Sequence, residues 1–99
     1  MRTARAILQL FKDDCYQIRM LNRQAAAALL VHQYLQNRPR TSIQSAGAAL
    51  GLTLPTVTSA LTNPVKLGIV QEVTGRRRNR LYRYSAYLKI LEEGTEPLR

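Results

Sequence analysis

Leu67 to Tyr87 reads LGIVQEVTGRRRNRLYRYSAY. Ile69, Val70 and Val73 precede Thr74-Gly75, and Leu81, Tyr82 and Tyr84 follow Asn79, so two short apolar runs flank a turn. That pattern predicts a β-hairpin. Tyr82 and Tyr84 alternate with Arg83, which directs the tyrosines to the core and Arg83 to solvent. The turn holds Arg76, Arg77, Arg78 and Arg80. Like charges packed this closely repel one another, and a polyanion that neutralises them releases its own counterions. The plainer reading is a hairpin tip kept soluble by its charge.

Upstream, Thr41 to Asn63 reads TSIQSAGAALGLTLPTVTSALTN and predicts two short helices. Ser42 or Thr41 caps the first, Ile43, Ala46 and Leu50 face inward, and Gly51 ends it in the left-handed region. Thr53 caps the second, with Pro55 tolerated in its first turn. Val57 and Leu61 fall one turn apart on the buried side, which leaves Thr56, Thr58, Ser59 and Thr62 outward. Their hydroxyls suit phosphates or base edges, and equally an ordinary polar helix face. Gly47, Ala48 and Ala49 are small enough for the helices to cross closely, and the short turn between them has helix-turn-helix spacing. Asn63-Pro64 is expected to kink or end the second helix, because proline lacks the N–H and clashes with the preceding turn. Ser85 to Glu93 predicts a last helix stopped by Gly94.

From Thr3 to Arg38 there is no glycine or proline, so this third is expected to be helical, as one helix or as two joined near Leu21 to Arg23. Ile7, Leu8, Phe11, Cys15 and Ile18 form one apolar stripe; Ala27, Leu30, Val31, Tyr34 and Leu35 form a second. The helix stops before Arg38-Pro39. Arg38 and Arg40 then flank the start of the helix at Ser42, where backbone N–H groups also favour a phosphate. The first stripe lies outside the compact unit and needs a cover, either a second copy of the chain through Ile7, Leu8, Phe11 and Ile18, an absent domain, or the closing helix. The expected organisation is a linker or dimerisation helix over 1–22, a folded unit over 23–94 and a disordered tail over 95–99.

Ninety-nine residues make one small domain. Fifteen Lys and Arg against six Asp and Glu leave a net charge of +9, and twelve of the fifteen are arginine, the side chain best shaped for bidentate phosphate contact. The single Cys15 fits a reduced, cytoplasmic setting. No apolar stretch approaches the roughly 18 residues of a membrane span. His32, expected at a helix surface or core edge, and Cys15 supply no metal ligand set. Asp13-Asp14 and Glu92-Glu93 are adjacent pairs that diverge on a helix, and no phosphate loop or nucleophile-base pair is present, so neither a catalytic residue nor a cofactor is expected.

Ser42 to Leu61 followed by Leu67 to Leu91 resembles the C-terminal winged helix of many bacterial Fic (filamentation induced by cAMP) proteins. The residues that carry the likeness are Gly68-Ile69-Val70, Glu72-Val73-Thr74-Gly75, Arg76 to Arg78, Asn79-Arg80, Tyr82, Tyr84 and Tyr87-Leu88. The resemblance implies a catalytic domain N-terminal to this chain that transfers AMP from ATP to a protein hydroxyl. The family's His-x-Phe-x-Asp/Glu-Gly-Asn loop is absent here, since His32 lies in LLVHQYLQN. Thr53 to Asn63 carries no charge where family members usually show several, which moves the expected contacts toward the DNA backbone.

The expected fold is therefore α+β and mostly α: a winged helix-turn-helix with an extra N-terminal and a C-terminal helix. The expected partner is double-stranded DNA, bound by a cytoplasmic homodimer, with a protein-protein module of little DNA affinity as the alternative.

Overall fold

The computed structural model describes residues 2–73 and 80–94. Helix α1 spans Arg2–Arg19, a 3-10 turn spans Asn22–Gln24, and α2 spans Ala25–Asn37. The helical third is thus two helices with the joint where the sequence placed it. Asn22 makes the corner at φ 60, a left-handed conformation that asparagine tolerates better than most residues. Arg38 leaves the helical region ahead of Pro39 at φ −135 and ψ 85.

Strand β1 (Arg40–Ser42) leads into α3 (Ile43–Leu50), α4 (Leu54–Lys66), β2 (Gln71–Glu72), β3 (Leu81–Arg83) and α5 (Ser85–Gly94). The strands form one antiparallel sheet in the order β1-β3-β2, with Thr41 and Glu72 both opposite Tyr82. Ser42 caps α3 by accepting the Ser45 N–H at 3.1 Å, and Gly51 closes it at φ 67. Thr53 is the N-cap of α4 without a side-chain bond to the backbone; its hydroxyl donates instead to Thr56 Oγ1 at 2.9 Å. Of the three small residues at the α3–α4 crossing, only Gly47 is buried, and a Cβ there would stand 3.2 Å from the Leu52 carbonyl. Ala48 and Ala49 face solvent.

Pro64 does not end α4, which runs on to Lys66. Its ring is fully buried, and its carbonyl accepts N–H groups from Ile69 at 2.9 Å and Val70 at 3.3 Å. Core burial and these two bonds hold the last turn in place despite the missing donor.

The core gathers Ile18, Ala28, Val31, Leu35, Ala46, Val57, Ala60, Leu61, Ile69, Val70, Tyr82 and Tyr84 from every helix but α5 and from both sides of the hairpin. The inner face of α2 is turned from the expected stripe: Ala28, Val31, His32 and Leu35 are buried, Ala27 and Tyr34 are half-buried, and Leu30 is exposed. The stripe on α1 is also divided. Ile18 is fully buried, Phe11 packs against His32, Tyr84 and Tyr87, Ile7 is half-buried, and Leu8 is 67% exposed. The four residues therefore do not form one open seam. Through them α1 lies against α2 and α5, and its core is continuous with that of residues 23–94.

Leu61→Ala is expected to cost about 2–4 kcal/mol in chemical denaturation, since it empties a fully buried site. Thr58→Ala and Ser59→Ala, on the exposed side of the same helix, should each shift stability by less than about 0.5 kcal/mol.

Candidate nucleic-acid interface

Val57 and Leu61 lock α4 against the core, so the opposite face is presented outward. Thr56, Thr58 and Ser59 are exposed there and Thr62 is half-buried. Two of these hydroxyls already have internal partners: Thr58 Oγ1 donates to the Leu54 carbonyl at 2.7 Å, and Thr56 Oγ1 accepts from Thr53. The face carries no charge before Lys66. Charge reaches it from elsewhere in the chain, because Arg23 and Gln24 line an open cleft with Pro55, Thr56 and Ser59. Asn63 Nδ2 donates to Gln24 Oε1 at 2.7 Å and ties the 3-10 turn to α4. Arg23 was missed as a candidate because it sits at a helix joint, where neither periodicity nor motif marks it.

Arg76, Arg77 and Arg78 lie outside the described residues. Arg80 is described and exposed, and its Nε stands 3.9 Å from Glu72 Oε2 across the hairpin. Arg38 and Arg40 are exposed. Arg40 sits in β1 directly opposite Arg83 in β3, while the intervening Thr41 and Tyr82 face the core. Arg83 Nε donates to Gln71 Oε1 at 3.0 Å. Among the described residues the structure sets Arg38, Arg40 and Arg80 at or beside the sheet and the hydroxyl candidates on α4.

The junction of α1, α2 and the hairpin encloses a polar chain that the sequence did not reveal. Tyr84 is fully buried, His32 is 4% exposed and Asp14 is 7% exposed. Tyr84 Oη donates to Asp14 Oδ2 at 2.5 Å and lies 2.9 Å from His32 Nε2. Because the phenol proton is directed at the carboxylate, His32 Nε2–H must be the donor to Tyr84, which leaves Nδ1 to accept from Gln36 Nε2 at 3.4 Å. Every donor in the chain points toward Asp14. His32 is thus not at a surface or edge; it turns inward because a partner meets it there. Burial pushes its pKa below the usual 6.5. Burial pushes Asp14 above the usual 3.8, opposed by the Tyr84 hydrogen bond and aided by the neighbouring Asp13 charge. The Tyr84 phenol is pushed up by burial and then by its bond to Asp14.

Among the described residues no cluster of His, Cys, Asp or Glu has the arrangement to hold a metal ion, and no helix is long and apolar enough to cross a membrane. No protein-family model, curated protein or solved structure matches the chain.

Tyr84→Phe should cost on the order of 2–4 kcal/mol, because Asp14 and His32 both keep their burial and lose their partner. The two titrating groups act in opposite directions. Neutral His32 contributes stability that is full above 6.5 and is lost as pH falls through its lowered pKa. Asp14 contributes stability that is full below 3.8 and is lost as pH rises through its raised pKa. In Asp14→Asn the His32 contribution stands alone, so unfolding followed from pH 8 to pH 5 should show stability declining below 6.5.

Proposed function

We propose that the chain is a winged helix-turn-helix module that binds duplex DNA chiefly through its phosphates. The observation that carries this reading is the order of parts: α3 and α4 are followed directly by the β2–β3 hairpin, whose turn contains Arg76, Arg77, Arg78 and Arg80. In such a unit α4 is the helix offered to the major groove and the hairpin is the wing. An α4 face of Thr56, Thr58, Ser59 and Thr62, with Arg23 at its border, favours backbone contacts over discrimination among bases. Arg38 and Arg40 add phosphate contacts from the sheet side. The likeness of Gly68 to Leu88 to the Fic tail supports placement of this module after a Fic-type AMP transferase domain in a cytoplasmic protein.

Duplex affinity should fall steeply with salt, with log K against log salt sloping at about −0.9 per phosphate contact and four to six contacts on the order of what the wing and Arg38/Arg40 allow. A fluorescence titration at two salt concentrations checks it, and a flat response rejects electrostatic binding. Arg76, Arg77 and Arg78 replaced together by alanine should weaken binding to all sequences alike.

A second reading, a protein-protein module, is favoured by one specific observation: Leu8, Tyr16 and Met20 are each about two-thirds exposed along α1 and its end. These replace the seam expected at Ile7, Leu8, Phe11 and Ile18 as the surface a homodimer would use. In sedimentation at tens of micromolar, a dimer of the intact chain that Leu8→Glu and Met20→Glu dissociate supports this reading, and a monomer rejects self-association through α1.

A further inference from the structure

We propose that Arg40, Arg83 and Lys89 form a phosphate-binding cleft on the outer face of the sheet, separate from the face of α4. The three line one open cleft together with Ser85, Leu88 and Glu92. Arg40 and Arg83 are paired directly across β1 and β3, and like charges so placed destabilise a sheet unless something neutralises them. Among the described residues none of these three cations makes an ion pair. Glu92, on the same wall, is one carboxylate against three cations.

The guanidinium of Arg83 is also held in a particular way. Gln71 Oε1 accepts from Arg83 Nε and from Ser85 Oγ, each at 3.0 Å. That single oxygen fixes the inner edge of the fork and leaves both Nη groups for an acceptor from outside. A fork anchored by Nε, a second guanidinium opposite it and an ammonium one turn along α5 from Ser85 suit a tetrahedral oxyanion with several acceptor oxygens, and phosphate is the common group of that shape and charge. The Arg40–Arg83 rung lies beyond the Ser42–Leu81 rung as seen from the β2–β3 turn, so the cleft is a contact additional to the turn arginines. The phosphate has two possible sources, a phosphodiester of bound nucleic acid or a free phosphorylated compound. Only the first source rests on the DNA reading.

The test uses the intact chain, with inorganic pyrophosphate as the first probe and a short DNA duplex as the second. Pyrophosphate should move the backbone amide resonances of Arg40, Arg83, Ser85 and Lys89. Arg83→Gln with Lys89→Gln should weaken its binding at least about tenfold, the equivalent of one strong charge-assisted contact. Gln71→Ala, which leaves the charge unchanged, should weaken it by a smaller factor. Thermal unfolding checks that each variant is folded; if the double variant is not, Lys89→Gln alone, on the exposed side of α5, takes its place. Equal pyrophosphate affinity in the intact chain and the variant overturns the cleft, and so do shifts that disappear only when Arg76, Arg77 and Arg78 are removed. With the duplex, a loss of affinity and a salt slope shallower by about 0.9 per lost contact identify the phosphodiester as the occupant. Unchanged duplex binding beside lost pyrophosphate binding identifies a free phosphate compound. Should the intact chain bind no duplex at all, the DNA reading fails, and the pyrophosphate arm still decides the cleft.

Discussion

The hydroxyl of Tyr84 is the point on which the arrangement of the chain depends. It donates to Asp14 from α1 and accepts from His32 of α2, while its own backbone N–H donates to the Pro39 carbonyl at 2.8 Å, where the chain enters β1. One residue at the end of β3 thereby joins the first helix, the second helix and both ends of the sheet connection. Around the hydroxyl the rings of Phe11, His32 and Tyr87 stand with centroids 5.5–5.9 Å from that of Tyr84. The aromatic contacts supply buried apolar area, and the hydrogen bonds decide which rotation of α1 and α2 is accepted. A polar chain inside a core is costly when any member lacks a partner, so it selects strongly for the single packing that satisfies all of them.

That selection has consequences for the surface. With Asp14 and Ile18 turned inward, α1 presents Leu8 and Tyr16 outward, with Met20 just past its end. With His32 turned inward, α2 leaves Leu30 exposed and brings Arg23, at its approach, to the border of α4. The two surfaces on which the functional readings rest are therefore set by the same buried bonds. Arg40 and Arg83 place paired positive charge on the sheet, whereas the outward face of α4 carries mainly hydroxyls.

The small core is stabilised further by local devices. Ser42 and Gly51 delimit α3, Gly47 lets the α3–α4 turn approach closely, and buried Pro64 receives the two N–H groups that start the return into the hairpin. Each is a short-range feature with a recognisable residue type. In a chain of 99 residues, which can bury only a modest apolar area, these local contributions are a substantial share of what keeps the unit folded.

Local chemistry was legible in the sequence. The break at Leu21 to Arg23, the caps at Ser42 and Gly51, and the burial of Val57, Leu61, Tyr82 and Tyr84 all follow from propensity, periodicity and turn residues, which act over a few positions. The run of arginines at Arg76 to Arg78 is contiguous in the sequence and lies outside the described residues. What the sequence did not determine is everything that depends on partners far along the chain. Asp14 and Tyr84 are 70 residues apart, and nothing near either one signals that they bond. Without that knowledge His32 reads as an edge residue, Leu30 as core, and Phe11 with Ile18 as a free seam. Pro64 reads as a helix stop until its ring is placed in the interior. The meeting of Arg40 with Arg83 and of Arg23 with Thr56 likewise required the tertiary structure, since strand register and helix packing are set by the whole core and not by the residues they bring together.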